Sequence, residues 1–140
     1  MDQPVISPVK TKERTYRLEE DYSYEWEEGG KQCQMTAKKG FLFDGASIPS
    51  AIWGFPLMLS PAHPRILAAA VLHDLCYATD GKLEPNGFYS EKEAIGWRQV
   101  GRNFSKDEAD ELFRRINKSS GMDRTRRFLT YWAVRLFGNY

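Results

Sequence analysis

Residues 66–78 read I-L-A-A-A-V-L-H-D-L-C-Y-A. Apolar side chains fall on nearly every face of this run, which is the pattern of a helix buried at the centre of a fold rather than laid on its surface. Pro61 and Pro64 stand ahead of it, where proline suits the first turn of a helix. Asp80-Gly81-Lys82 closes it, and residues 81–89 read as a loop. Within the run, only His73 and Asp74 break the apolar character. The fold therefore turns on what covers this helix and on why two polar side chains lie inside it.

Upstream, the chain reads as strands. Tyr16 and Leu18 alternate with charged residues, and Tyr22, Tyr24 and Trp26 alternate with Ser and Glu, the period-two signature of half-buried strands. Glu27-Glu28-Gly29-Gly30-Lys31 is a hairpin turn, and Cys33, Met35 and Ala37 mark the returning strand. Lys38-Lys39-Gly40 turns once more, and Phe41-Leu42-Phe43 leads to Asp44. Downstream, the chain reads as helices. Ser90-Glu91-Lys92-Glu93 and Ser105-Lys106-Asp107-Glu108 both carry the capping-box pattern that opens a helix. Ala109, Leu112, Phe113 and Ile116 form one core-facing stripe, Gly121 breaks the chain, and Phe128, Leu129, Trp132 and Leu136 form the stripe of a last helix. Strands followed by helices predict an α+β fold, with a small N-terminal antiparallel β-meander packed against a C-terminal bundle of about four helices. One domain over 1–140 is expected, strand-rich across 10–45 and helical across 61–138.

Composition sets the outer limits. Of 140 residues, 41% are apolar and 14% aromatic, which suits a globular fold. A net charge of +1 gives no basis for nucleic-acid binding through bulk charge. Arg114, Arg115, Arg124, Arg126, Arg127 and Arg135 all lie in the last quarter, forming either a solvated helical face or a surface for an anionic partner. Cys33 and Cys76 are the sole cysteines, too few for a disulfide framework and without zinc-knuckle spacing, so buried free thiols are expected. The N-terminus lacks a basic segment followed by an apolar one, and no window is apolar enough to span a bilayer, so neither a signal peptide nor a membrane span is expected.

A buried carboxylate without a partner costs several kcal/mol, so Asp74 needs a reason to be in an apolar helix. His73 and Asp74 flank one wedge of the helix, and Tyr77, at i+4 and i+3, can touch both. One reading is a structural network tying loop amides and carbonyls. The other is a working pair for general-base catalysis or metal ligation. Asp44, in F-D-G-A-S-I-P (43–49), sits in a loop directly after a strand, where sites are commonly built. Gly45 and Ser47 beside it suit a turn and a helix cap, or the positioning of substrate. Asp110 lies at the border of its helix's apolar stripe, where it either complements the helix dipole or reaches His73 and fixes its tautomer. The candidate catalytic set is His73, Asp110, Asp44 and Tyr77, and the candidate ligands of a divalent cation are Asp74, Asp44 and His73.

Four runs, G-F-L-F-D-G-A-S-I-P (40–49), A-A-A-V-L-H-D-L-C-Y (68–77), A-D-E-L-F (109–113) and Y-W-A-V-R-L-F-G (131–138), together resemble a family of small phage and prophage proteins of unknown function. The resemblance implies a phage or prophage origin and puts Asp44, Ser47, His73, Asp74 and Asp110 on the family's polar signature positions. H-D-L-C-Y (73–77) is also similar to the H-D-x-C-Y helix of secreted phospholipases A2. There the histidine activates water, the adjacent aspartate binds calcium, and an aspartate on a partner helix orients the histidine. That similarity would give those roles to His73, Asp74 and Asp110 in turn, with Tyr77 beside them; the glycine-rich calcium loop and disulfide framework of those enzymes are absent from this sequence.

Two functions are expected from these features. One is a hydrolase acting on host envelope material, peptidoglycan or lipid, with a substrate class that follows from the phage resemblance. The other is a virion, tail-associated or assembly protein in which the polar cluster fixes the fold and the Arg-rich C-terminal helices face other phage proteins. Synthesis in the host bacterial cytoplasm, with incorporation into the virion, is the corresponding expectation for location.

Overall fold

A computed structural model describes residues 3–9, 15–43 and 67–137. In chain order the elements are β1 (Ile6–Pro8), β2 (Tyr16–Leu18), β3 (Tyr22–Glu28), β4 (Lys31–Ala37), β5 (Leu42–Phe43), α1 (Leu67–Ala78), β6 (Gly87–Glu93), β7 (Gly96–Val100), α2 (Lys106–Ser119) and α3 (Arg124–Phe137). The fold is α+β.

The strands form two antiparallel sheets, ordered β1-β2-β5 and β3-β4-β6-β7. Alternation fixes the register of the larger one. Tyr22, Tyr24 and Trp26 pair with Ala37, Met35 and Cys33, so all six apolar side chains lie on one face and are buried. Gly29 and Gly30, both at positive φ, make the turn between them. The expected single meander is divided: β5 turns away to pair with β2, and the place beside β4 goes to β6, which reaches the sheet only after α1.

The segment expected to open a helix at Ser90 is instead the β6–β7 hairpin. Ser90 pairs with Gln34 on one side and Gln99 on the other, and Ala94 and Ile95 form the tip. The capping-box spacing is present, but no 3.6-period apolar stripe follows it. Phe88, Tyr89, Trp97 and Val100 favour strand, and Gly96 at φ +127° turns the chain. The described residues therefore contain three helices. At Ser105 the same pattern is a true capping box: its hydroxyl accepts from the Glu108 amide, and the Glu108 carboxylate accepts from the Ser105 amide.

α1 contacts β4 and β5 on one side and α2 on another, while α3 packs against α2. This central position explains the all-round apolarity of α1, whose residues 67–76 are all buried. Each fully buried leucine or valine there contributes about 2 kcal/mol of transfer free energy. At the end of α1, Gly81 (φ +83°) donates its amide to the Cys76 carbonyl and accepts from the Phe104 amide, tying the helix end to the approach of α2. Arg102 completes the junction, with its guanidinium 4.3 Å from the Phe104 ring centre and in ion pairs with Glu28 and Glu108.

α3 is turned the other way from its expected stripe. Thr130, Ala133 and Val134 are the buried residues, whereas Phe128, Trp132 and Leu136 are exposed. Small and β-branched side chains at i, i+3 and i+4 provide the packing face. The Thr130 hydroxyl is satisfied within the helix by the Arg126 and Arg127 carbonyls.

Candidate functional site

α1 and α2 bring His73 and Asp110 together. The side chains meet with His73 Nε2 2.7 Å from Asp110 Oδ1, and both are removed from solvent, at 2% and 0% residue exposure. Tyr77, one turn beyond His73 on α1, donates its hydroxyl to the same oxygen at 2.6 Å. The other carboxylate oxygen accepts from Lys106 Nζ at 2.9 Å and Arg135 Nη1 at 3.1 Å. Asp110 thus receives two donors on each oxygen, one set from α1 and the other from the first turn of its own helix and the last turn of α3.

Burial by itself would raise the Asp110 carboxyl, but the hydrogen bonds from His73, Tyr77 and Lys106 outweigh it and hold the pKa at about 2. The group is an anion throughout the neutral range. An ionised carboxylate only accepts, so Nε2 of His73 carries the proton, and in the neutral ring the lone pair lies on Nδ1. The ring is further fixed by tilted aromatic neighbours, Tyr77 at 4.1 Å and Phe113 at 4.8 Å between centroids. Asp74, next along the helix, is also buried, at 8% exposure.

Asp44, Gly45 and Ser47 lie outside the described residues. Among the described residues, no group of three His, Cys, Asp or Glu side chains is placed to hold a metal ion. Both cysteines are buried and neither is in a disulfide, as expected.

A family model described as protein of unknown function (DUF1353) matches residues 16–134. The chain belongs to that family. No curated protein and no solved structure matches it. The matched span of this DUF1353 chain contains His73, Asp74, Tyr77, Lys106 and Asp110, and it stops one residue short of Arg135.

Lys106 and Arg135 are the site residues that the sequence reading passed over. Lys106 also donates to the Val134 and Arg135 carbonyls at 3.2 and 3.1 Å, so one ammonium joins the C-terminal turn of α3 to the buried carboxylate. Arg135 spans Asp107 and Asp110. The available signal was the i, i+4 spacing from Lys106 to Asp110, which places an ammonium within reach of the acid on one helical face. Arg135 carried no such mark, because it comes from another helix. In this DUF1353 protein the pair of cations closes the outer side of the carboxylate as His73 and Tyr77 close the inner side.

Proposed function

We propose that this protein is a phage-encoded hydrolase in which His73 is the general base and Asp110 its positioning residue. The observation carrying the reading is the 2.7 Å contact between His73 Nε2 and Asp110 Oδ1, with Tyr77 on the same oxygen. A carboxylate on Nε2 commits the imidazole to the tautomer whose basic nitrogen is Nδ1. In the reaction, Nδ1 takes a proton from water as the water oxygen attacks an ester or amide carbonyl. The imidazolium so formed is stabilised by the adjacent anion, then returns the proton to the leaving group. Tyr77, Lys106 and Arg135 hold the carboxylate still and ionised during this cycle. Host envelope material, lipid or peptidoglycan, is the substrate class in keeping with the phage resemblance, after synthesis in the host cytoplasm.

A second reading is supported by the near-complete burial of His73 and by the four donors on Asp110: a non-enzymatic virion or assembly protein whose polar cluster fixes helix packing. One pair of measurements separates the two. His73→Gln keeps an amide donor for Asp110 and removes the base. Hydrolysis of phospholipid vesicles or purified peptidoglycan by the wild type, lowered by about 10²–10⁴-fold in the variant with its melting temperature within a few degrees, is the expected result. Wild-type protein inactive on both substrates, with a variant that melts far lower, would establish the structural role instead.

A further inference from the structure

The outward face of α3 has no role in the chemistry above. Phe128, Trp132 and Leu136 follow one another at i, i+4 and i+8, and they are 60%, 46% and 69% exposed. The Phe128 and Trp132 rings lie edge to face at 6.3 Å. Scaled by these exposures, three such side chains offer roughly 350 Å² of apolar surface. A stable protein interface needs about 800 Å² from each partner, so the stripe alone is too narrow to hold a second copy of the chain.

Its charge surroundings point elsewhere. α3 carries four arginines and no acidic residue. Arg126 is paired with Asp123, and Arg135 with Asp107 and Asp110. Among the described residues, Arg124 and Arg127 have no acidic partner. At 100° per residue, Arg124 and Arg135 fall within about 40° of Phe128 around the helix, whereas Arg127 lies about 100° away, on the side of Val134, and donates to the Met122 carbonyl. Aromatic and aliphatic side chains interleaved with arginine match a surface that is apolar beneath and phosphate-bearing above. No described helix is long and apolar enough to cross a membrane, so such a contact would lie along the surface.

We propose that the outer face of α3 seats on an anionic lipid bilayer, with Phe128, Trp132 and Leu136 entering the headgroup boundary and Arg124 meeting lipid phosphates. This goes beyond the hydrolase reading and does not require it. Where that reading holds, the face narrows the substrate to lipid, and Arg135 links the seated helix directly to Asp110.

Flotation of the full chain with vesicles of phosphatidylcholine, alone or mixed with phosphatidylglycerol, tests the proposal. The wild type should bind the phosphatidylglycerol vesicles at least about tenfold more strongly. Phe128→Ser with Leu136→Ser should weaken binding about tenfold or more at unchanged melting temperature, since both side chains are exposed. Arg124→Gln should reduce the preference for the anionic lipid about fivefold, whereas Arg127→Gln, off this face, should leave it unchanged. His73→Gln should bind as the wild type does, so loss of hydrolysis and loss of the membrane face are read separately. Absence of binding to either vesicle would overturn the proposal, as would binding that ignores the Phe128 and Leu136 substitutions. A dimer in sedimentation that the same substitutions dissolve, without vesicle binding, would assign the face to a second copy.

Discussion

Asp110 shows how a single buried charge is made stable by its neighbours. Its four donors come from three helices, so removing the carboxylate charge strands Lys106 and Arg135 as well as the imidazole. Asp110→Asn should therefore cost about 3 kcal/mol at neutral pH, measured by urea denaturation. The acid dependence follows from the depressed carboxyl, about 2 folded against 3.8 unperturbed. The folded state binds this proton more weakly than the unfolded chain. The stabilisation is thus complete above a pH of about 4 and is lost as pH falls toward 2, a component on the order of 2 kcal/mol. The Asn variant should lack that component between those two values; an acid limb identical to the wild type's would refute the role given to Asp110. His73, Tyr77 and Asp110 were legible from sequence because burial of polar groups in apolar helices demands partners and helical spacing limits the choice. The cations were not, because long basic side chains at helix ends look like ordinary surface charge while their head groups reach inward.

At the scale of elements, local patterns were read correctly wherever a second signal agreed with them. The β3–β4 hairpin had alternation and two glycines, and the start of α2 had a capping box followed by an apolar stripe. Ser90 to Glu93 had only the capping spacing, and its true setting, between β4 and β7, depends on partners distant in sequence. The α3 stripe was read as core because its residues are large and apolar, although the smaller set Thr130, Ala133 and Val134 has the same periodicity and won the buried face. Gly81 is an element boundary at which the backbone leaves no choice. A Cβ there would lie 1.8 Å from the Phe104 carbonyl oxygen, and its φ of +83° already disfavours a side chain. Gly81→Ala should destabilise the protein by about 3 kcal/mol in thermal or urea unfolding. Gly101→Ala, where a Cβ meets nothing within 4 Å, should remain within about 0.5 kcal/mol of the wild type.

Across the whole molecule, α1 lies between the strands and α2, with α3 packed on α2. Protection should follow that order. Native-state hydrogen exchange is expected to be slowest for α1 and β4 amides and fastest at the Ala94–Ile95 tip, where both side chains are exposed. Early exchange of α1 would contradict its central place. The α+β class was legible because period-two and period-3.6 segments occur in separate blocks, while the two-sheet arrangement was hidden in long-range pairing. That pairing has a consequence for biosynthesis. β4 finds its second neighbour only in β6, fifty residues or so further along the chain. Until the ribosome has delivered residues 87–93, the nascent protein holds a hairpin whose β4 edge is bare in addition to its β3 edge, open to pairing with the wrong strand. A chain arrested after α1 is thus a template for self-association through β4, and completing translation is what covers that edge.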